Sequence, residues 1–346
     1  MQSPLSRSRH PKARRLIAFG ASGLALLALA GCSSASTAAD DTSSSGLVPF
    51  TLGTNSWVGY GPWYIALDQG YLEDEGIDLE LFNYDESDYA ALPSTGQVDG
   101  SNLSINDWLL NVDQHGYEMV LVEDVSLTAD AMIGGEGIDS VADLPGTEVA
   151  FGYGGVSALV FYDALAKNGI APEEVTTINL EPADAGNALI AGQVNSAVTY
   201  EPYVSTVLAE NADSKVIYSA GETPGLISDG LFVDPEYAEA NPEVIEGLAA
   251  AWGKAVEFLL ENEAEAQAII GEATGIPEDQ RATMFDGLQF YTLEDSAEML
   301  GDGGAFLSET LPSIETAMIA AGIIDAEVSV APSLISSAWV DKVLAR

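Results

Sequence analysis

From Leu47 onward, short apolar runs suited to strands alternate with longer stretches of helical periodicity, and this alternation occurs twice with the same punctuation. In the first copy one helix closes on Gly76-Ile77 and the next on Gly96-Gln97-Val98-Asp99. In the second copy the closures are Gly169-Ile170 and Gly192-Gln193-Val194-Asn195, at nearly the same offset. A residue that ends a helix often needs a positive φ, which glycine adopts without steric cost. The pattern predicts an α/β protein of two similar lobes, each a mostly parallel sheet flanked by helices, joined by two hinge crossings. Open α/β sheets bind ligands beyond the carboxyl ends of their strands, so two such lobes would share one cleft.

The ends of the chain read differently. Leu16 to Ala30 is apolar and follows Arg7, Arg9, Lys12, Arg14 and Arg15, but it is too short to cross a bilayer unaided. It runs into Leu29-Ala30-Gly31-Cys32, which resembles a bacterial lipobox, and Cys32 is the only cysteine. Residues 1–31 are therefore expected to be a lipoprotein signal peptide, with lipidated Cys32 anchoring the exported protein to the outer face of the cell membrane. Arg14-Arg15 leaves open whether export is general or twin-arginine. Residues 32–46 lack apolar periodicity and read as a flexible tether. After Gly230, Leu231-Phe232-Val233 reads as a strand returning to the first lobe. Asn241-Pro242-Glu243 then reads as a helix cap, with Val244, Leu248, Trp252 and Leu259 on one face of the helix. The boundaries that follow are 47–133 and 231–346 for the first lobe and 134–230 for the second.

Charge narrows the partners. The formal net charge is −43, and the leader holds five of the eleven Lys and Arg, leaving six against 54 acids. Such a surface repels nucleic acid and anionic lipid alike, so membrane contact would depend on the acyl anchor. With one cysteine no disulfide framework exists. Most of the acids read as a solvated surface. Gly46 to Ala166 nevertheless contains neither Lys nor Arg, and this bears on the ligand.

Three strand-to-helix turns would reach the cleft: Trp57 through Gly59-Tyr60-Gly61-Pro62-Trp63, Gly152 to Ser157, and Tyr200-Glu201-Pro202-Tyr203. Pro62 suits a first helical position. The Gly-rich turn lacks the Gly-Lys-Ser/Thr ending of a nucleotide loop. Aromatic faces attract cations and nearby carboxylates add charge, so rings with Asp or Glu suit ammonium, guanidinium or quaternary amines. Candidate ligand-binding aromatics are Trp57, Tyr60, Trp63, Tyr84, Tyr153 and Tyr200. Candidate acids are Asp85, Asp107, Asp130, Glu201 and Asp229, with Ser126 and Ser157 as polar partners. Tyr64, Trp108 and Trp252 read as core, and His115 as a surface residue at a helix end. No catalytic set, metal site or cofactor motif is present.

Several runs carry a family resemblance: GYGPWYIALDQGYLEDEGIDLEL (59–81), GQVD (96–99), SLTAD (126–130), GIDSVADLPGTEVAF (137–151), AGQVNSAVTYEPY (191–203) and TPGLISDGLFV (223–233). Their order and spacing resemble those of ABC-importer substrate-binding proteins of the nitrate/sulfonate/taurine (NitT/TauT) class. The resemblance implies a type II periplasmic-binding fold that closes on one small molecule and hands it, as a monomer, to a permease driven by a cytoplasmic ATPase. It implies crossings near Met132–Gly135 and Ile227–Phe232, and ligand contacts at Asp130 and Glu201. Tyr200 stands where the family commonly has Trp. The expected ligand is a small organic amine or guanidine. The alternatives are a taurine-type zwitterionic sulfonate, a thiamine-precursor aminopyrimidine and, more distantly, a pyrimidine-synthase-like enzyme of the same fold. Such an enzyme draws on histidine, cysteine and a lysine that this chain scarcely offers.

Overall fold

The computed structural model describes residues 46–83, 92–153, 155–326 and 328–346. Cys32, the leader and tether up to residue 45, Tyr84 and Asp85 lie outside them.

In chain order the first elements are β1 (Val48–Thr54), α1 (Pro62–Asp68), α2 (Tyr71–Asp74), β2 (Ile77–Asn83), β3 (Gly100–Ser104), α3 (Ile105–His115) and β4 (Glu118–Ser126). Next come β5 (Asp130–Gly134), β6 (Glu148–Phe151), α4 (Val156–Asn168), β7 (Thr176–Asn179), α5 (Pro182–Ile190), β8 (Ser196–Tyr200), α6 (Tyr203–Glu210) and β9 (Lys215–Ser219). The chain then returns through β10 (Ser228–Val233), α7 (Pro235–Ala240), α8 (Pro242–Glu261), α9 (Glu263–Thr274), β11 (Leu288–Phe290), α10 (Leu293–Leu300), α11 (Leu311–Ala320) and α12 (Ala338–Leu344).

Two sheets result, ordered β11-β4-β10-β3-β1-β2 and β7-β6-β8-β5-β9. β1, β2 and β3 run parallel while β10 runs antiparallel to β3 and β4. In the second sheet β6, β7 and β8 run parallel and β5 opposes β8 and β9. The punctuation read from the sequence is built as expected: Gly76 and Gly169 have φ of 80° and 67°, so each turns a helix end into the next segment at a dihedral other residues avoid. Pro62 opens α1, where its missing N–H costs nothing.

The chain passes from the first sheet to the second between Ser126 and Asp130, and back between Ser219 and Ser228. Both passages precede the positions expected from sequence. Met132 and Ile133 already pair with β8, and Ser228 to Phe232 already pair with β4 or β3. Asn241 also departs from expectation: its side chain donates to Tyr237 O and does not cap α8. Val244, Leu248, Trp252 and Leu259 are buried along α8 as the periodicity predicts, and Trp108 is buried against Phe232. Tyr64, read as core, is only half-buried. His115 differs more. Its Nδ1 accepts the Tyr117 N–H at 2.9 Å, and burial lowers its pKa to about 4, so it is a neutral acceptor and not a charged surface group.

One irregularity matters for function. Asp229 pairs with Asp124 but Gly230 pairs with Val122, so Glu123 is an extra residue in β4. Such a β-bulge re-aims side chains. Close backbone approach here requires glycine at 230, where a Cβ would lie 2.8 Å from Leu121 O.

Candidate functional site

The carboxyl ends of β1, β3 and β4 and the start of β10 form one edge of the first sheet, which brings Thr54, Ser104, Asp124, Ser126 and Asp229 together. Asp229 is the register partner of both Ser104 and Asp124. On the second sheet, the start of β5 and the end of β8 place Asp130 opposite Tyr200. The Asp130 N–H donates to Ser126 Oγ at 2.8 Å across the first crossing. All these side chains are buried.

The turn after β1 covers this edge with aromatic donors. Trp57 Nε1 donates to Asp124 Oδ1 at 3.2 Å, Tyr60 Oη to Asp229 Oδ1 at 2.7 Å, and Trp63 Nε1 to Glu123 Oε1 at 2.9 Å. The bulge is what lets two consecutive acids both find tryptophans of this segment. Gly59 completes the fit, because a Cβ there would overlap Trp57 Nε1 and Asp124 Oδ2. Across the cleft, the Trp57 and Tyr200 rings meet edge to face at 5.5 Å.

Each of these hydrogen bonds uses one carboxyl oxygen. Among the described residues, Asp124 Oδ2, Asp229 Oδ2, Glu123 Oε2, Tyr200 Oη and Ser157 Oγ have no hydrogen-bond partner although buried. Buried polar atoms are rarely left so. The electrostatics match. Burial, then the charges of Asp229 and Glu123, hold the Asp124 carboxyl well above the ordinary range. Burial raises Asp229 to about 8, opposed by the Tyr60 hydrogen bond and reinforced by Asp130 and Asp107. Burial also lifts Glu123 well above its usual value and Asp107 to about 6. None of the six Lys and Arg among the described residues offsets these charges. Lys167, Lys215, Lys254, Lys342 and Arg346 pair with acids elsewhere, and Arg281 Nε donates to Ile276 O.

Of the residues singled out from sequence, Trp57, Tyr60, Ser126, Asp130, Tyr200 and Asp229 come together here. Asp107 sits just behind, held by Ser104 Oγ at 2.7 Å and Asn106 Nδ2 at 3.1 Å. Trp63 lies a layer deeper, fully buried against Trp252. Ser157, on the first turn of α4, is buried. Glu201 is turned onto its own helix, accepting from Ser205 N at 3.1 Å and Ser205 Oγ at 2.9 Å, with burial raising its pKa to about 7. Tyr153 is 51% exposed and its hydroxyl donates to Thr177 Oγ1 at 2.6 Å. Glu123 and Asp124 were missed in the sequence, although two adjacent acids inside the apolar run Met119 to Val125 are a visible signal. Among the described residues no three His, Cys, Asp or Glu side chains are set to hold one metal ion.

The NMT1/THI5-like family model matches residues 57–266, more than half the chain. A putative aliphatic sulfonates-binding protein of Escherichia coli K12 is 29% identical over 149 residues, which is 43% of this chain and 46%, under half, of that relative's length. Among solved structures, the periplasmic aliphatic sulphonate binding protein SsuA of Escherichia coli superposes with a TM-score of 0.69 at 19% identity, covering 85% of this chain and 99% of that one. The desulfurization enzyme DSZB superposes at 0.63 and 11% identity, covering 86% of this chain and 99% of the enzyme. The architecture is thus the two-lobed fold of periplasmic binding proteins, one that also serves enzymes. By its match to the family model, the chain belongs to the NMT1/THI5-like family.

Proposed function

We propose that this protein is the extracytoplasmic substrate-binding component of an ABC importer, and that it captures a small organic cation, an amine or guanidinium, between its lobes. One observation carries the ligand reading. Asp124 and Asp229 on one sheet edge and Asp130 on the other are buried within electrostatic reach of one another, under Trp57, Tyr60 and Tyr200, with no lysine or arginine among them. A positive group there would donate hydrogen bonds to the unused oxygens of Asp124 and Asp229, lie against ring faces and relieve the mutual repulsion. Because carboxylates come from both sheet edges, the same cation would hold the closed lobes together. The relatives' names support a periplasmic binding role, and the sulfonates they name support a second reading. A taurine-type zwitterion would place its ammonium on the acids and its sulfonate near the start of α4, where Ser157 Oγ has no partner.

In this account the protein is delivered by its leader and anchored through Cys32, then hands its ligand to a permease and ATPase. Replacing Cys32 with alanine should release the protein into the medium; retention at the membrane would remove the anchor from the account. For the ligand, calorimetry at pH 7.5 with guanidinium, methylamine, taurine, an aminopyrimidine and ethanesulfonate separates the readings. Heat from the simple cations and none from ethanesulfonate supports the proposal. Tight ethanesulfonate binding overturns it. Turnover of a bound compound would move the protein to the enzymes that share the fold.

A further inference from the structure

A cavity of about 340 Å³ lies between the lobes, lined from one side by Ser56 and Ile276 and from the other by Ile190, Tyr203 and Val207. In a chain with 54 acids its lining holds no charged side chain. The walls are half apolar, with hydroxyl and amide groups at Ser56, Thr206 and Gln280. Gln280 Oε1 accepts from Thr206 Oγ1 at 3.3 Å, so the two walls touch across the gap.

A chain of aromatic contacts runs from the carboxylates to the wall of this cavity. Trp57, which holds Asp124, meets Tyr200 at 5.5 Å. Tyr200 meets Tyr203 at 5.7 Å, and Tyr203 Oη shares a hydrogen bond of 3.3 Å with Ser56 Oγ on the cavity wall. On that chain the Tyr200 hydroxyl is buried without a partner. This aromatic run therefore has two chemically distinct ends, one anionic and one uncharged.

We infer that the ligand is an organic cation bearing an uncharged, partly apolar tail, its charged head on Asp124, Asp130 and Asp229 and its tail in the cavity bounded by Tyr203, Val207 and Ile276. The inference rests on the cation reading above and adds the second subsite to it. A tail carrying a sulfonate or carboxylate would lose its hydration in this cavity and meet no cation, whereas methylenes, a ring edge or a hydroxyl would be accommodated. Because both lobes supply the walls, a tail placed there also favours the closed form.

The test is calorimetry with guanidinium, methylguanidine, propylguanidine and butylguanidine, and with 4-guanidinobutyrate as the charged-tail counterpart. Affinity should rise about fourfold per buried methylene, and the carboxylate should cancel that gain. Ala183→Leu, which fills the cavity from α5, should flatten the series while leaving guanidinium binding unchanged, and Gly186→Leu provides an independent second plug. A flat series in the unmodified protein, or a gain that persists in both variants, would overturn the tail subsite while leaving the cation site standing. Failure of every guanidine to bind would overturn both.

Discussion

Asp124 and Asp229 are direct register partners on neighbouring antiparallel strands, buried at the edge where the two sheets face each other. Like charges in that relationship destabilise a sheet, and burial magnifies the effect. The arrangement is held by the aromatic donors Trp57 and Tyr60, which satisfy one oxygen of each acid. Replacing Asp229 with Asn should therefore raise the stability of the ligand-free protein at pH 8 by about 1–3 kcal/mol, the scale of an uncompensated buried polar group. The same change should weaken cation binding at least tenfold. Thermal melts with and without methylguanidine check both effects, and a variant that loses stability without ligand would contradict the assignment.

Stability should depend on pH in the direction opposite to that of a salt-bridged carboxylate. The Asp229 carboxyl keeps its proton in the folded protein up to about pH 8, against an ordinary value of 3.8. The folded state thus binds more protons than the unfolded chain across that window, and stability falls as pH rises through it. Asp107, raised to about 6, contributes to the lower part of the window. His115, lowered by burial to about 4, gives the opposite slope up to its ordinary value of 6.5, so the ligand-free melting temperature should fall between pH 6.5 and pH 8.5. Affinity for a cation should move the other way, weakening on acidification because the proton and the ligand compete for the same oxygens. A melting temperature that climbs over this range would contradict the account.

Gly59 offers a steric test of the same cluster. A Cβ at 59 would overlap Trp57 Nε1 and Asp124 Oδ2, whereas one at Gly155 meets nothing within 4 Å. Gly59→Ala should cost about 1–3 kcal/mol, the usual range for overpacking, and reduce ligand affinity, while Gly155→Ala should behave as the unmodified protein does. Urea titrations read the first effect and calorimetry the second.

Much of this site can be read along the sequence because local chemistry dictates it. Helix-ending glycines, a helix-opening proline and aromatic turns after strands require only their neighbours, so Trp57, Tyr60 and Asp130 are visible in one dimension. The Glu123–Asp124 pair is not, because its role depends on a bulge that exists only once β10 pairs with β4 and Gly230 lets the backbones approach. Alternation along an ordinary strand would send the two acids to opposite faces. Glu201 is ambiguous for a related reason. A carboxylate at a strand end is equally able to face the cleft or to accept from the helix that follows, and Ser205 four residues on decides the matter. Tyr153 lies within a glycine-rich turn in sequence, yet its hydroxyl is taken by Thr177 on the neighbouring strand.

Tyr153 and Trp57 therefore make a matched pair of aromatic substitutions. Trp57→Ala removes the donor to Asp124 and one wall of the site, and should lower affinity about a hundredfold, as deletion of a buried aromatic anchor commonly does. Tyr153→Ala removes a half-exposed ring and should change affinity by less than threefold, within the range of surface substitutions. Equal losses in the two variants would show that the binding surface extends over the start of α4.

The most direct test is a crystal structure of the protein purified gently enough to retain its ligand. The account predicts a positively charged nitrogen within hydrogen-bonding distance of Asp124 or Asp229 and close to Asp130, with Trp57 and Tyr200 against it. An anionic head held by backbone N–H groups at a helix start, with Asp124, Asp130 and Asp229 touching no part of the ligand, would contradict it.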